Sequence, residues 1–405
     1  MIRRYAAIAL VAAVASAIPL AGHASVPLHV MTFELVGKEG KNDSVPYSQV
    51  ARWVDWARVT YGQSGAIAAA GMKTVYYANP GRIGPKDQGL YVDNEAMFAH
   101  DCSGNRIATR NVKFDRYMTD VTSSVLQQQW RGYITGLESK PGVHFDAIFD
   151  DNAGVIAGLN GVPCNFNRDA YIQGNVQLIE SLGMPVIYNG LSDTGKPGQY
   201  APAPSIGLDA ATNAVGGMYE GCFFNFNPND PLEWGDQWRI TIDEELMQAA
   251  QHKLFFCNAA GTHVDAAEAT AQRAYIYASF MLGYDPATSV IEWQFETPSN
   301  VHVLPESQLV PTDPTAPEPG QVDALRVPSG TYVREYQQCY IGGSPVGPCA
   351  AIVNPDRAAH ALGVSGYGHT LAFSGGGVLD NGSVSPTGPP PPGSLGPESA
   401  VIAFR

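Results

Sequence analysis

Carboxylates close together, or brought together by a fold, are the side chains in this sequence best suited to chemistry. The stretch His144 to Asn152 reads HFDAIFDDN: apolar Phe145, Ala147, Ile148 and Phe149 run directly into Asp150, Asp151 and Asn152. An apolar strand that ends in acids suits the mouth of a barrel or open sheet, where strand ends converge on one pocket. The bland alternative is a strand followed by an Asp-rich turn. A second acid, Glu220, ends another apolar run, Ala214 to Phe224. Two carboxylates on either side of a bond can divide the work of breaking an acetal: one protonates the departing oxygen, the other attacks carbon or activates water. Met218, Tyr219, Phe223 and Phe224 beside Glu220 would lower the local polarity, raise its pKa and offer stacking faces. Asp150 and Glu220 are therefore the candidate catalytic pair. Asp151 competes with Asp150, because successive strand residues face opposite ways. Asp146 shares the parity of Asp150 and would sit deeper as its support.

Further polar residues fall near expected strand ends: Glu34, Asn79, His100, Asp101, Asn189, Asn258, Glu292 and Gln294. Tyr76, Tyr77, Tyr188, Tyr219 and Trp293 could stack on a ring-shaped ligand. From these, Glu34, Tyr77, Asn79, Asp101, Asp151, Asn189, Tyr219, Asn258, Glu292 and Trp293 are the candidate substrate-binding set. Each taken singly reads as well as a capped strand or core packing. Asn152, Asn189, Asn225 and Asn258 form a repeated amide supply that turn preference explains only in part.

These residues need elements to position them. Eight strands are expected: His29–Leu35, Met72–Asn79, Phe98–Cys102, Phe145–Asp150, Pro185–Asn189, a strand within Ala214–Phe224, Lys253–Asn258 and Ser289–Phe295. Helices are expected over Val50–Tyr61, Thr119–Leu137 with Thr119 or Asp120 as cap, Asp169–Leu182 stopped by Gly183, Asp243–Gln251 and Glu268–Met281. Short, wholly apolar strands alternating with helices point to an α/β fold, a (β/α)₈ TIM barrel. A doubly wound sheet is the alternative, weakened by the absence of a glycine fingerprint after the first strand. From Val322 onward short apolar runs sit among glycines and prolines, the pattern of a small antiparallel β-sandwich. The expected division is 1–24 signal peptide, 25–304 barrel, 305–321 proline-rich linker and 322–405 β domain. Ser383 to Leu395, with its run of prolines, is expected as a surface loop.

Arg3-Arg4, an apolar run and Ala21-Gly22-His23-Ala24 make an export signal, so a secreted or periplasmic location is expected, with no later membrane span. All six cysteines follow it, and export permits disulfides. Cys339 and Cys349 flank a Gly/Pro-rich turn and are expected to pair; for Cys102, Cys164, Cys222 and Cys257 three pairings stay open. The formal charge is −14, which disfavours nucleic acid as a partner and is compatible with a neutral carbohydrate. No Walker, HExxH or GxSxG motif occurs, and neither a cofactor nor a metal is expected. Oligomeric state is not legible.

The run Phe145-Asp146-Ala147-Ile148-Phe149-Asp150-Asp151 resembles a strand-four motif of bacterial glycoside-hydrolase-like TIM-barrel proteins, distantly similar to endo-α-1,4-polygalactosaminidases and α-glycosidase barrels. Ala147 stands where glycine is usual. Tyr219-Glu220-Gly221 fits the strand-six carboxylate of that group, and Val353-Asn354-Pro355 a turn in its C-terminal domain. The resemblance implies a glycoside hydrolase cutting α-glycosidic bonds in a polysaccharide or oligosaccharide, with Asp150 as nucleophile, Glu220 as acid/base and retention of configuration. The alternative is a catalytically silent, carbohydrate-binding barrel.

Overall fold

The computed structural model describes residues 29–32, 46–52, 54–110, 115–156, 158–191, 207–225, 229–260, 266–294, 302–312, 316–375, 377–378 and 382–405. The expected export signal at 1–24, and Glu34, lie outside these.

Eight parallel strands close into a barrel. They are β1 (His29–Thr32), β2 (Trp56–Val59), β3 (Lys73–Ala78), β4 (Ala147–Asp150), β5 (Val186–Asn189), β6 (Ala214–Glu220), β7 (Leu254–Ala260) and β8 (Ser289–Gln294). Each pairs with its sequence neighbours, and β8 closes on β1. Trp56, Val75, Ala147, Phe149, Ile187, Met218, Phe256 and Val290 meet inside the barrel. Residues of the opposite parity, such as Ile148, Tyr188, Tyr219 and Ile291, pack against the helices. Burying each large apolar side chain contributes about 1.5–3 kcal/mol, so both layers specify which way every strand faces.

The outer helices are α1 (Ser64–Ala69), α2 (Ser124–Glu138), α3 (Arg168–Leu182), α4 (Gly235–Ala250) and α5 (Ala266–Gly283). The oxygen of Ser123 caps α2, displacing the expected Thr119 and Asp120. Asp120 instead accepts from the Thr122 backbone and hydroxyl, closing a turn ahead of the helix. Gly183, left-handed at φ 71°, ends α3 as its sequence position requires.

The count of eight strands is reached by a different route from the expected one. Val50–Tyr61 is not a helix. A single turn, Tyr47–Val50, precedes β2. Trp56, Ala57 and Val59 are buried in a strand covered on both faces, whose apolar run mimics helical spacing. Phe98–Cys102 is no barrel strand: Phe98 and His100 form lone antiparallel bridges with Thr119 and Arg106, in an excursion between β3 and β4. A disulfide from Cys102 to Cys164 ties this excursion down. The other bridges are Cys222–Cys257 and Cys339–Cys349. No described helix is long and apolar enough to cross a membrane.

The C-terminal part departs from a two-sheet sandwich. One five-stranded antiparallel sheet runs in the order β9 (Leu309–Thr312), β10 (Tyr332–Ile341), β11 (Ser344–Asn354), β13 (Ser399–Phe404), β12 (His369–Thr370). Its edge strand β9 comes from the proline-rich stretch expected as a linker. Ser383–Ser385 and Ser394–Leu395, expected in a loop, form two-stranded ribbons. One face of the sheet, with Tyr336, Ala351, Val353 and Phe404, joins the barrel's own core. The other, with Val333, Ile352 and Ala403, is covered by Leu362 and Leu395. A second full sheet is unnecessary because the barrel's helix layer takes its place.

Arg334, 2 % exposed, donates through Nη1 to the carbonyls of Leu282 (2.8 Å) and Met281 (3.4 Å) at the end of α5. Tyr336 also donates to Met281 and Tyr277 to the Leu309 carbonyl. The Arg273 guanidinium clasps the buried Glu306 carboxylate at 2.7 and 2.5 Å. The sheet thus supplies the donors that the α5 C-terminus requires. Arg334→Ala is expected to cost about 2–4 kcal/mol, with barrel and sheet melting in one calorimetric transition. Two separate transitions in the unmodified protein would contradict this coupling.

Candidate functional site

Alternation along the strands decides which end residues meet. Phe149, Ile187, Met218, Phe256 and Val290 face the barrel interior. Two residues on, at the C-terminal ends, the same parity brings Asp151, Asn189, Glu220, Asn258 and Glu292 to the mouth. Val75 gives the same parity to Tyr77 and Asn79 on β3. In register, Glu220 lies opposite Asn258, and Asn258 opposite Glu292.

Asp151 is the acid that this arrangement presents. Its Oδ2 accepts from the Tyr77 hydroxyl (2.5 Å), Asn79 Nδ2 (3.0 Å) and Asn152 Nδ2 (2.7 Å), and its Oδ1 accepts from Asn189 Nδ2 (2.9 Å). Asn152 adopts a left-handed backbone, φ 59°, a conformation asparagine tolerates better than most residues. That turn lets its amide fold back onto Asp151. The same Asn189 nitrogen donates to Glu220 Oε2 at 3.0 Å. One amide group, with its two hydrogens, therefore links both carboxylates. Gly190 follows it because a Cβ there would meet the Ala153 carbonyl at 2.4 Å, so β5 and the turn after Asp151 close to backbone distance.

Asp150 faces the opposite way. It is 1 % exposed, between sheet and helices, and its Oδ2 has no hydrogen-bond partner among the described residues. Burial, aided by the Asp151 charge, raises its pKa well above the usual carboxylate range. Asp146 does not support it: it accepts from the Thr74 backbone (2.7 Å) and hydroxyl (3.1 Å) and links the starts of β3 and β4.

Glu220 stands exposed at the mouth. Even so, the protein crowded around it raises its pKa; the Asn189 bond opposes this and the Asp151 charge adds to it. Gly221 and Cys222 both donate their backbone N–H to the Asn258 carbonyl, at 3.0 and 3.1 Å. The Cys222–Cys257 disulfide bonds the residue two beyond Glu220 to the residue before Asn258. The acid's strand end is thus fixed to its neighbour covalently and through the backbone.

Other candidates separate cleanly. Tyr77, Asn79, Asn189, Asn258 and Glu292 are at the mouth, and Asn258 Nδ2 donates to Glu292 Oε2 at 2.8 Å. Tyr219 faces outward and donates to buried Glu233 at 3.0 Å. Tyr76 and Tyr188 face outward too, onto Tyr133 and Asp209. Asp101 accepts from the Ser103 and Asn105 backbones of its own turn, and His100 meets Glu95; neither contacts the acids. Glu34 and the side chains of Trp293 and Gln294 lie outside what is described.

Two participants are absent from the sequence reading. Arg58 lies 5.0 Å over the Tyr77 ring, and it was hidden by reading β2 as a helix. Glu233 sits behind β6, accepting from Thr241 Oγ1 at 2.6 Å, and burial pushes its pKa up to about 8. A recurring sequence signal would have found the mouth: an apolar residue, one spacer, then a polar one. It occurs as Tyr77–Asn79, Phe149–Asp151, Ile187–Asn189, Met218–Glu220, Phe256–Asn258 and Val290–Glu292. Among the described residues no group of three or more His, Cys, Asp or Glu is placed to hold a metal ion.

No protein-family model and no curated protein matches this chain. Among solved structures it is similar to Aspergillus fumigatus Ega3 in complex with galactosamine, at 12 % identity and TM-score 0.38 over 67 % of this chain and 94 % of that one. It is similar to the GH36 alpha-galactosidase AgaA of Geobacillus stearothermophilus, at 8 % and 0.43 over 93 % and 55 %. It is also similar to the maltogenic alpha-amylase AmyB of Thermotoga neapolitana, at 9 % and 0.45 over 93 % and 98 %. The resemblance to glycosidase barrels recurs here as a distant likeness of fold, and at these scores it bears on neither activity nor substrate.

The buried acids have a measurable consequence. Glu233 titrates near its usual value of 4.5 when unfolded and at about 8 when folded. Between those values the folded chain holds a proton that the unfolded chain has lost, so stability falls as pH rises through that window, by up to about 1.4 kcal/mol per unit. Asp150, Glu244 and Glu245 are shifted in the same direction by burial. Thermal unfolding should give a higher Tm at pH 5 than at pH 8, with a shallower slope in Glu233→Gln. A Tm rising across that range would contradict the buried, protonated assignment.

Proposed function

We propose that the protein is an exported glycoside hydrolase that cleaves α-glycosidic bonds in a polysaccharide or oligosaccharide, with Asp151 as nucleophile and Glu220 as acid/base on a (β/α)₈ barrel. The observation that carries this is the Asn189 amide donating to both acids. Two oxygens 2.9 and 3.0 Å from one nitrogen lie no more than about 5.9 Å apart. That favours the short spacing of retaining enzymes, roughly 5–5.5 Å between carboxyl groups, over the roughly 6.5–9.5 Å that leaves room for a water.

The roles follow from the surroundings. Asp151 Oδ2 is filled by three donors, whereas Oδ1 accepts from Asn189 alone among the described residues. Oδ1 therefore attacks the anomeric carbon. The bond to the departing oxygen breaks, and that oxygen takes the electron pair together with the proton of Glu220. The raised pKa of Glu220 keeps that proton available toward neutral pH. In the second step Glu220 takes a proton from water, the water oxygen bonds to the anomeric carbon, and Asp151 leaves as carboxylate. Tyr77, Asn79 and Asn152 hold the nucleophile in place throughout, an arrangement worth several kcal/mol of orientation.

Purified protein screened against α-linked polysaccharides should release sugar. Asp151→Asn and Glu220→Gln should each lower kcat at least about 10³-fold, whereas Asp150→Asn should stay within a few-fold. The first product seen by NMR should keep the anomeric configuration of the substrate. Full activity in Asp151→Asn, or an inverted first product, would overturn the assignment. Asn189→Leu should lower kcat about 10–100-fold with little change in thermal stability, because it removes the link between the acids and leaves the core intact. Unchanged kcat in that variant would remove the amide from the mechanism.

A further inference from the structure

Two oxygens at the mouth lack the donors that buried acceptors require. Among the described residues Asn79 Oδ1 and Asn258 Oδ1 receive no hydrogen bond, and the two residues are 5 % and 3 % exposed. Which end of each amide is which follows from chemistry. Asn79 Nδ2 lies 3.0 Å from Asp151 Oδ2, and Asn258 Nδ2 lies 2.8 Å from Glu292 Oε2. A carboxylate only accepts, so each NH₂ must face it and each carbonyl oxygen is left over. Turning either amide round would set oxygen against oxygen. A buried carbonyl without a donor is rare enough in native proteins to need a reason.

Their positions supply one. Both side chains have the inward parity of their strands, so they belong to the mouth layer. Asn79 follows β3, beside the nucleophile's strand, and bonds Asp151 itself. Asn258 on β7 pairs in register with Glu220. The two spare acceptors therefore bracket the acid pair, one on the side where a glycone ring meets Asp151 and the other beside the acid that protonates the leaving group.

We propose that Asn79 Oδ1 and Asn258 Oδ1 read hydroxyl groups on opposite sides of the scissile bond, Asn79 on the glycone sugar and Asn258 on the leaving-group sugar. The inference rests on the assignment of Asp151 as nucleophile and Glu220 as acid. The ligand class it selects is an oligosaccharide with free hydroxyls on both sides of the cleaved bond. A glycoside whose leaving group offers no hydroxyl misses the Asn258 contact. Sites with buried groups that need a substrate hydroxyl reject analogues lacking it strongly, because the protein group is then left unpaired.

The test compares two probes on the full-length protein: an α-linked oligosaccharide it cleaves, and the p-nitrophenyl α-glycoside of the same glycone sugar. Asn258→Leu should lower kcat/KM for the oligosaccharide at least about tenfold more than for the aryl glycoside. Asn79→Leu should lower both. Equal losses on the two probes in Asn258→Leu, or none on either, overturn the leaving-group contact. An aryl glycoside unaffected by Asn79→Leu overturns the glycone contact. Should a leucine variant fail to fold, the unmodified protein reads the same contacts with singly deoxygenated oligosaccharides: one position in each sugar must cost about tenfold, and uniform tolerance overturns the proposal. Wild-type protein that cleaves no α-linked oligosaccharide and no p-nitrophenyl α-glycoside, or Asp151→Asn that cleaves both probes at the wild-type rate, overturns the enzymatic assignment itself.

Discussion

A single amide group holds the site together. Asn189 Nδ2 has two hydrogens, and each is given to a different carboxylate, at 2.9 Å to Asp151 and 3.0 Å to Glu220. Two carboxylates so close would repel if both were charged; the neutral amide's two donated hydrogens, and a Glu220 that keeps its proton more readily than usual, make such proximity tolerable. The rest of the mouth serves that contact. Tyr77, Asn79 and Asn152 fix Asp151 from the other side, while the Cys222–Cys257 bridge and the backbone bonds to Asn258 fix the Glu220 strand end. Gly190 permits the close approach of β5 to the turn that carries Asp151. Removing side-chain bulk there is a packing requirement as much as a chemical one.

Much of the barrel was legible because its strands are short and apolar. β1, β3, β4, β5, β6 and β8 each fall inside a segment read as a strand from its composition, and β7 runs two residues past its segment. The same property concealed which face each residue takes. Ala147, Ile148, Phe149 and Asp150 are all buried, since a parallel barrel strand is covered on both sides. With no alternation to read, nothing within HFDAIFDDN chooses between Asp150 and Asp151. The choice appears only when several strands are compared, through the repeated apolar–spacer–polar ends that share one inward parity. Asp150 is the cost of reading one strand alone: a buried acid in the outer layer, with its pKa raised by desolvation.

The misread elements have similar causes. Val50–Tyr61 has apolar residues at spacings that suit a helix, yet Trp56 and Ala57 are taken up by pairing with β1 and β3. Tertiary pairing overrode a local pattern, and Arg58 was lost from view with it. The five-stranded sheet shows the converse. Its strands were visible, but the helix that completes its packing belongs to the barrel, so the sequence suggested a self-contained sandwich. Arg334 reaching the last carbonyls of α5 and Arg273 holding Glu306 make that sheet part of the barrel's support.

The central claim is that Asp151, not its neighbour, forms the bond to sugar. Its most direct measurement is mass spectrometry of the protein incubated with a 2-deoxy-2-fluoro α-glycosyl fluoride, which slows both steps of a retaining reaction so that the covalent intermediate accumulates. Peptide mapping is expected to place one glycosyl group on Asp151 and to lose it in Asp151→Asn. A label on Asp150, or turnover of α-glycosides with a label on neither residue, would contradict the account.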